Sequence, residues 1–201
     1  GSEMCIRDRK FFNAETGVYA EGTQTAQALA LYLGLVPEGK EQLVADKLRE
    51  VVAGNNYFLD FGLLGSKTVP AMLTKYGYIE DAMKMITKTE APSWGYWVET
   101  MGYSTLPETW TLSPKFADAS LNHVFMGDVS AWMMNQLAGI NHDDSAPGFR
   151  HIRITPHFVK ELDWAKGEYH SVRGRIASEW KREGDQVMLT VMIPADCSAD
   201  I

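Results

Sequence analysis

The sequence predicts a mainly helical chain with the start of a β-rich module at its C-terminal end. Three observations carry this. From Gln24 to Ala138 apolar residues recur at helical spacing. Within that stretch, segments that are apolar nearly all round alternate with segments apolar on one face only. After Pro147-Gly148 the period drops to two, the mark of strands. Alternating inner and outer helices suggest two concentric helical layers, as in an α/α toroid. A plain bundle would show a similar stripe on every helix, and the pattern alone leaves both architectures open.

The elements follow in order. Gln24 to Leu33 (QTAQALALYL) is rich in Ala and Leu and apolar nearly all round, as a helix buried on every side should be. Gly34 and Pro37 end it. Over residues 41–53, Leu43, Val44, Leu48, Val51 and Val52 form one stripe, with Lys47, Arg49 and Glu50 off it. This predicts an amphipathic outer helix stopped by Gly54-Asn55-Asn56. Gly62 to Tyr76 repeats the inner type, and Pro70 is expected to kink it or to mark an early turn. Tyr78 to Lys88 repeats the outer type, with Ile79, Ala82, Met83 and Ile86 opposite Glu80, Asp81, Lys84 and Lys88. A fifth helix is expected from about Leu121 to Leu137.

Between the fourth and fifth helices, Ala91 to Ser120 shows no helical period. A loop of about thirty residues inside a compact domain is unusual and often functional. It holds three of the six tryptophans, Trp94, Trp97 and Trp110. In the β-rich part, His151 to Thr155, Ile176 to Trp180 and Gln186 to Ile193 read as strands, with Arg182-Glu183-Gly184-Asp185 as a hairpin turn.

Residues 1–9 have neither period and read as a translated cloning scar or tag. The expected division is therefore 1–9 set aside, a helical part over 10–147 and a β-rich part over 148–201. The bare start and the stop just after a strand-like run suggest a piece of a longer protein.

Composition excludes several classes. Six Trp, eight Phe and eight Tyr in 201 residues exclude a disordered tail. The longest apolar run, Ala28 to Leu33, is far short of the ~20 residues a membrane span needs. A net charge of −7 without Lys or Arg blocks disfavours nucleic acid and anionic membrane as partners. The two cysteines, Cys5 and Cys197, make neither a disulfide framework nor a metal spacing.

There is no glycine-rich phosphate loop, no Cys/His metal spacing and no Gly-x-Ser-x-Gly elbow, so no cofactor and no metal are expected. The remaining signal is carboxylates among aromatics, Ser93-Trp94-Gly95-Tyr96-Trp97-Val98-Glu99 through Pro107-Glu108-Thr109-Trp110. Sugars present flat C–H faces edged with hydroxyls. Aromatic rings stack on the faces, and carboxylates bind the edges. Taken singly, each Trp is more often core and each Glu more often a solvated surface residue.

These segments resemble the bacterial α-L-rhamnosidases of glycoside hydrolase family 78, from about Phe11 to Ala199. Phe12-Asn13-Ala14-Glu15-Thr16-Gly17 and Gly22-Thr23-Gln24-Thr25-Ala26 resemble the entry to an inner barrel helix. Phe61-Gly62-Leu63-Leu64-Gly65 resembles Thr-Gly-Phe-Leu-Gly, with Phe61 in place of Thr. Ser93-Trp94-Gly95-Tyr96, Ser104-Thr105-Leu106-Pro107-Glu108-Thr109-Trp110 and Ser120-Leu121-Asn122-His123 resemble three further motifs. Trp164-Ala165-Lys166-Gly167 and Gly174-Arg175-Ile176 resemble the entry to the family's C-terminal β-sandwich.

The resemblance implies a partial (α/α)6 barrel, about its last five helices, followed by a truncated antiparallel β-sandwich. It implies inverting hydrolysis of terminal α-L-rhamnosides, glycosides or polysaccharides, with Glu108 as general base. Trp94, Tyr96, Trp110 and His123 are the expected sugar-pocket residues, and Glu99 is a further carboxylate in the same loop. Pro107 stands where the family has Trp. The family's general acid lies in an acidic, arginine-rich motif absent from these 201 residues, so the missing N-terminal part of the barrel is an expected partner. Two alternatives stand beside this: a barrel glycosidase for an unsaturated uronate or algal polysaccharide, and a non-catalytic carbohydrate-binding piece. A uronate pocket should supply a cation, and the central loop offers only Lys115, which slightly disfavours that alternative.

Overall fold

The computed structural model describes residues 10–110 and 118–201; the expected scar at 1–9, with Cys5, and Lys115 lie outside the described residues. The chain divides into two compact units, 1–129 and 130–201.

The first unit opens with a short hairpin, β1 (Phe12–Asn13) against β2 (Val18–Tyr19), with Phe12 stacked on Tyr19. Four helices follow: α1 (Gln24–Tyr32), α2 (Glu41–Gly54), α3 (Leu63–Lys75) and α4 (Ile79–Thr87). Thr23 caps α1, its hydroxyl accepting the Ala26 N–H at 3.2 Å, a contribution of about 1 kcal/mol. The two expected inner helices, α1 and α3, pack on each other, and the amphipathic α2 and α4 pack against them. Their shared core includes Ala28, Val44, Leu48, Val52, Val69, Leu73 and Ala82, all closed to solvent. Arg49 of α2 holds the buried carboxylate of Asp81 in α4 at 2.7 Å. Acidic residues in the first turn of α4 also suit the positive end of its dipole.

Three local expectations change. Pro70 does not mark an early turn: it is the eighth of the 13 residues of α3, which continues past it. The proline nitrogen has no hydrogen to donate, so α3 forgoes one backbone bond there. The stretch expected to be irregular contains a helical turn, which closes as a π-turn over Tyr96–Thr100. Ser93 starts it, its hydroxyl accepting the Tyr96 N–H at 3.0 Å, and Trp94 and Trp97 bury themselves. The expected fifth helix starts only at Val124, as a 3-10 turn (Val124–Gly127), then α5 (Asp128–Trp132) and a π-turn (Met133–Leu137). Residues 120–123 instead pair with 105–108, which takes their main-chain groups away from a helix.

The second unit holds two three-stranded sheets. One joins β3 (Ile140–His142), β4 (His151–Ile154) and β8 (Ser198–Asp200), with β8 parallel to β4. The other is an antiparallel meander of β5 (Trp164–Ser171), β6 (Gly174–Glu183) and β7 (Gln186–Met192). Ile140, Ile152 and Ile154 of the first sheet meet Ile176 of the second in one core, with Val191 and Cys197 beside it. The expected hairpin stands at Gly184-Asp185, between paired Glu183 and Gln186. On the outer face, Arg175 donates to Glu168 at 2.6 Å and His170 lies 2.8 Å from the same carboxylate. The Arg175 guanidinium, helped by His170, holds the Glu168 carboxyl down at about 2.

Candidate active site

Hydrogen bonds between helix starts define one end of the first unit. Gln24, the first residue of α1, is buried. Its amide donates to the Phe58 carbonyl at 3.0 Å, and its oxygen accepts the Asp60 N–H at 3.2 Å. The loop entering α3 is thereby tied to the start of α1. In the first turn of α3, the Ser66 hydroxyl lies 2.9 Å from the Phe125 carbonyl, in the 3-10 turn. The Trp94 indole donates to the Met126 carbonyl at 3.0 Å, and the Trp110 indole donates to the Phe61 carbonyl. Four chain segments thus begin side by side.

Two motif glycines permit the close approach. A Cβ at Gly65 would strike the Phe61 side chain and the Thr25 hydroxyl, and one at Gly95 would strike the Lys88 carbonyl.

The tryptophans form one cluster. Trp97 and Trp110 stack with ring centres 4.4 Å apart, while Trp94 and Phe61 set their edges against Trp110 at 5.5 and 5.9 Å. Each such pair contributes about 0.5–1.5 kcal/mol beyond the area it buries. Trp94 and Trp97 are buried, and Trp110 is half-buried. Trp94 and Trp97 are therefore the support of the cluster, and Trp110 is its partly open ring.

Glu108 and His123 sit on a paired pair of segments. The Glu108 N–H donates to the Ser120 carbonyl and the His123 N–H to the Leu106 carbonyl, both at 2.8 Å. The Thr105 hydroxyl adds a bond to the Leu121 carbonyl at 2.7 Å. Pro107 falls between the two pairing positions, so its missing N–H costs the ladder nothing. The Glu108 carboxylate is half-buried and accepts the Ser120 N–H at 3.1 Å. His123 is half-buried too, and its Nδ1 accepts the Phe125 N–H at 3.3 Å. In the neutral ring the proton then sits on Nε2, which can donate to an acceptor.

The structure thus brings Trp94 and Trp110 into one cluster and Glu108 and His123 onto one paired loop. Tyr96 is half-buried and Glu99 exposed on the π-turn. Glu99 makes no hydrogen bond or ion pair among the described residues. Two residues escaped the sequence reading. Trp97 carries the stacking of Trp110, a role that no spacing announces. Asp60 lies on the pinned loop and lines a groove of about 630 Å³ with Trp110. Its position directly before the Phe61-Gly62-Leu63-Leu64-Gly65 element was the available signal. Among the described residues, no group of three or more His, Cys, Asp or Glu side chains could hold a metal ion.

Comparison with known proteins gives a consistent picture. The family model for the bacterial alpha-L-rhamnosidase 6 hairpin glycosidase domain matches residues 6–137, and that for the bacterial alpha-L-rhamnosidase C-terminal domain matches residues 139–201. A curated alpha-L-rhamnosidase of Streptomyces avermitilis is 28% identical over all of this chain and 20% of its own length. One of Alteromonas sp. is 27% identical over 95% of this chain and 21% of its own. Among solved structures, the Streptomyces avermitilis alpha-L-rhamnosidase complexed with L-rhamnose superposes with a TM-score of 0.88 at 26% identity, over 98% of this chain and 19% of that one. The alpha-L-rhamnosidase of Dictyoglumus thermophilum gives 0.87 at 31% identity, over 98% of this chain and 22% of that one. The chain spans about a fifth of the length of the relatives it matches.

Proposed function

Because the chain belongs to the bacterial alpha-L-rhamnosidase family, with parts of its 6 hairpin glycosidase and C-terminal domains, we propose that the whole protein hydrolyses terminal α-L-rhamnosides with inversion. Glu108 is the general base in this reading. The observation that carries it is the carboxylate's setting: half-buried, steered by the Ser120 N–H, on the same paired loop as His123. A carboxylate held at one oxygen keeps the other for a water molecule.

In inversion, that water attacks the anomeric carbon as Glu108 takes its proton. A carboxylic acid on the opposite side protonates the departing oxygen, the two groups standing roughly 6.5–9.5 Å apart. That acid comes from outside these 201 residues. Trp110 offers the sugar an apolar surface, with Trp94 and Trp97 fixing its plane. His123, through Nε2, and Tyr96 offer hydroxyl partners, and Glu99 is a further polar group near the rim.

The test is made on protein that carries a complete barrel, with an aryl α-L-rhamnoside. Glu108→Ala should lower kcat by about a hundredfold or more, the usual range for losing a general base. Proton NMR of the first product should show the β-anomer. Full activity in Glu108→Ala would remove the residue from the reaction, and an α-anomer as first product would replace inversion by retention. The 201-residue chain alone, without the acid, should show no turnover.

A further inference from the structure

We propose that the groove beside Trp110 is a binding subsite for an uncharged pyranose ring, with Asp60 as its hydroxyl-binding residue. The proposal deepens the rhamnosidase reading and rests on it. The Asp60 carboxylate is exposed and makes no hydrogen bond or ion pair among the described residues. Its main chain, in contrast, is held. Buried Gln24 takes the Asp60 N–H at 3.2 Å, and the neighbouring Leu59 N–H reaches the Pro92 carbonyl at 3.5 Å. Because the Asp60 main chain is already held, a ligand that binds this carboxylate has only the side chain left to order.

The rest of the groove lining decides the ligand class. Leu59, Phe61, Gly62, Ala91 and Pro92 bring no polar side-chain group. Trp110 brings an indole whose N–H is already taken by the Phe61 carbonyl. Among the described residues the groove therefore offers an aromatic carbon surface and one acidic acceptor, in about 630 Å³. That volume lies within the range of small-molecule sites. A pyranose matches it: C–H groups lie against the ring, and two neighbouring hydroxyls donate to the two oxygens of Asp60. A uronate does not match, since its carboxylate would face Asp60 with no cation among the described lining residues.

A competing role is purely structural. Asp60 stands two residues before Gly62, the residue that caps α3, and a negative charge there would favour the helix dipole. Kinetics separate the two roles. In protein with a complete barrel, Asp60→Ala should raise KM about tenfold while kcat stays within about twofold, as loss of uniform binding does. Asp60→Asn, which keeps a hydrogen-bonding group, should recover most of that rise. The measurement uses an aryl α-L-rhamnoside and a rhamnosyl disaccharide. A rise with both places the cleaved ring in the groove, and a rise with the disaccharide alone places the leaving sugar there. An unchanged KM for both substrates overturns the proposal. So does a KM rise that comes with a lowered thermal midpoint, the mark of a helix-start role. Glu108→Ala, measured in parallel, keeps the two readings apart. If it stays active, the rhamnosidase assignment of this loop fails. If it is dead while Asp60→Ala behaves as wild type, the subsite alone fails.

Discussion

Replacing Gln24 with Leu should loosen the loop that enters α3 while leaving α1 intact. The side chain is buried and makes two bonds, to the Phe58 carbonyl at 3.0 Å and from the Asp60 N–H at 3.2 Å. The two losses are unequal. The Phe58 carbonyl keeps a second donor, the Asn55 amide at 3.2 Å, so its loss costs about 0.5–1 kcal/mol. The Asp60 N–H has no alternative partner among the described residues, and its loss costs about 1–2 kcal/mol. Leu is close in size to Gln and a better helix former, which returns a few tenths of a kcal/mol. The net expectation is a destabilisation of about 1–3 kcal/mol. It should be concentrated at the loop, so the assay is amide hydrogen exchange, compared between Asp60 and the middle of α1. Exchange at Asp60 should speed up about tenfold or more, with the α1 core little changed. An Asp60 amide that exchanges at the wild-type rate would refute the claim that Gln24 holds this loop.

Three further outcomes follow from the same structure. Trp97→Ala removes the ring on which Trp110 stacks at 4.4 Å and should cost about 3–5 kcal/mol, read by urea denaturation with loss of near-ultraviolet circular dichroism. Arg175→Ala should let the Glu168 carboxyl climb from about 2 back toward 4.5, followed by NMR titration of the side chain. Because the folded value is depressed, the contact stabilises above pH 4.5 and fades as pH falls toward 2; the variant should lose acid sensitivity in that window. Ser66→Ala removes the hydroxyl shared with the Phe125 carbonyl at 2.9 Å and should destabilise by about 1 kcal/mol, checked by thermal denaturation.

Much of the architecture was legible in the residues themselves, because burial writes a period into the sequence. The helices α1 to α4 begin and end within a residue or two of the pattern's limits, and strands β4, β6 and β7 stand where alternation placed them. Order and spacing of the short motifs also carried the family, since Ser-Trp-Gly-Tyr, Pro-Glu-Thr-Trp and Ser-Leu-Asn-His each sit at a helix start or on the loop beside one. Strand β5 escaped notice, because Lys166, Glu168 and His170 share it with small inward residues such as Ala165 and Gly167.

The sequence by itself determined helices α1 to α4, strands β4, β6 and β7, and which residue types could touch a sugar. Those depend on local spacing and on side-chain chemistry. The tertiary structure alone decided that Trp97 supports Trp110, that residues 120–123 pair with 105–108 instead of extending a helix, and that Gln24 presents Asp60 to a groove. Each of these joins residues distant along the chain. Such contacts leave no period behind, because their energy lies in a geometry that exists only once the helix starts have met.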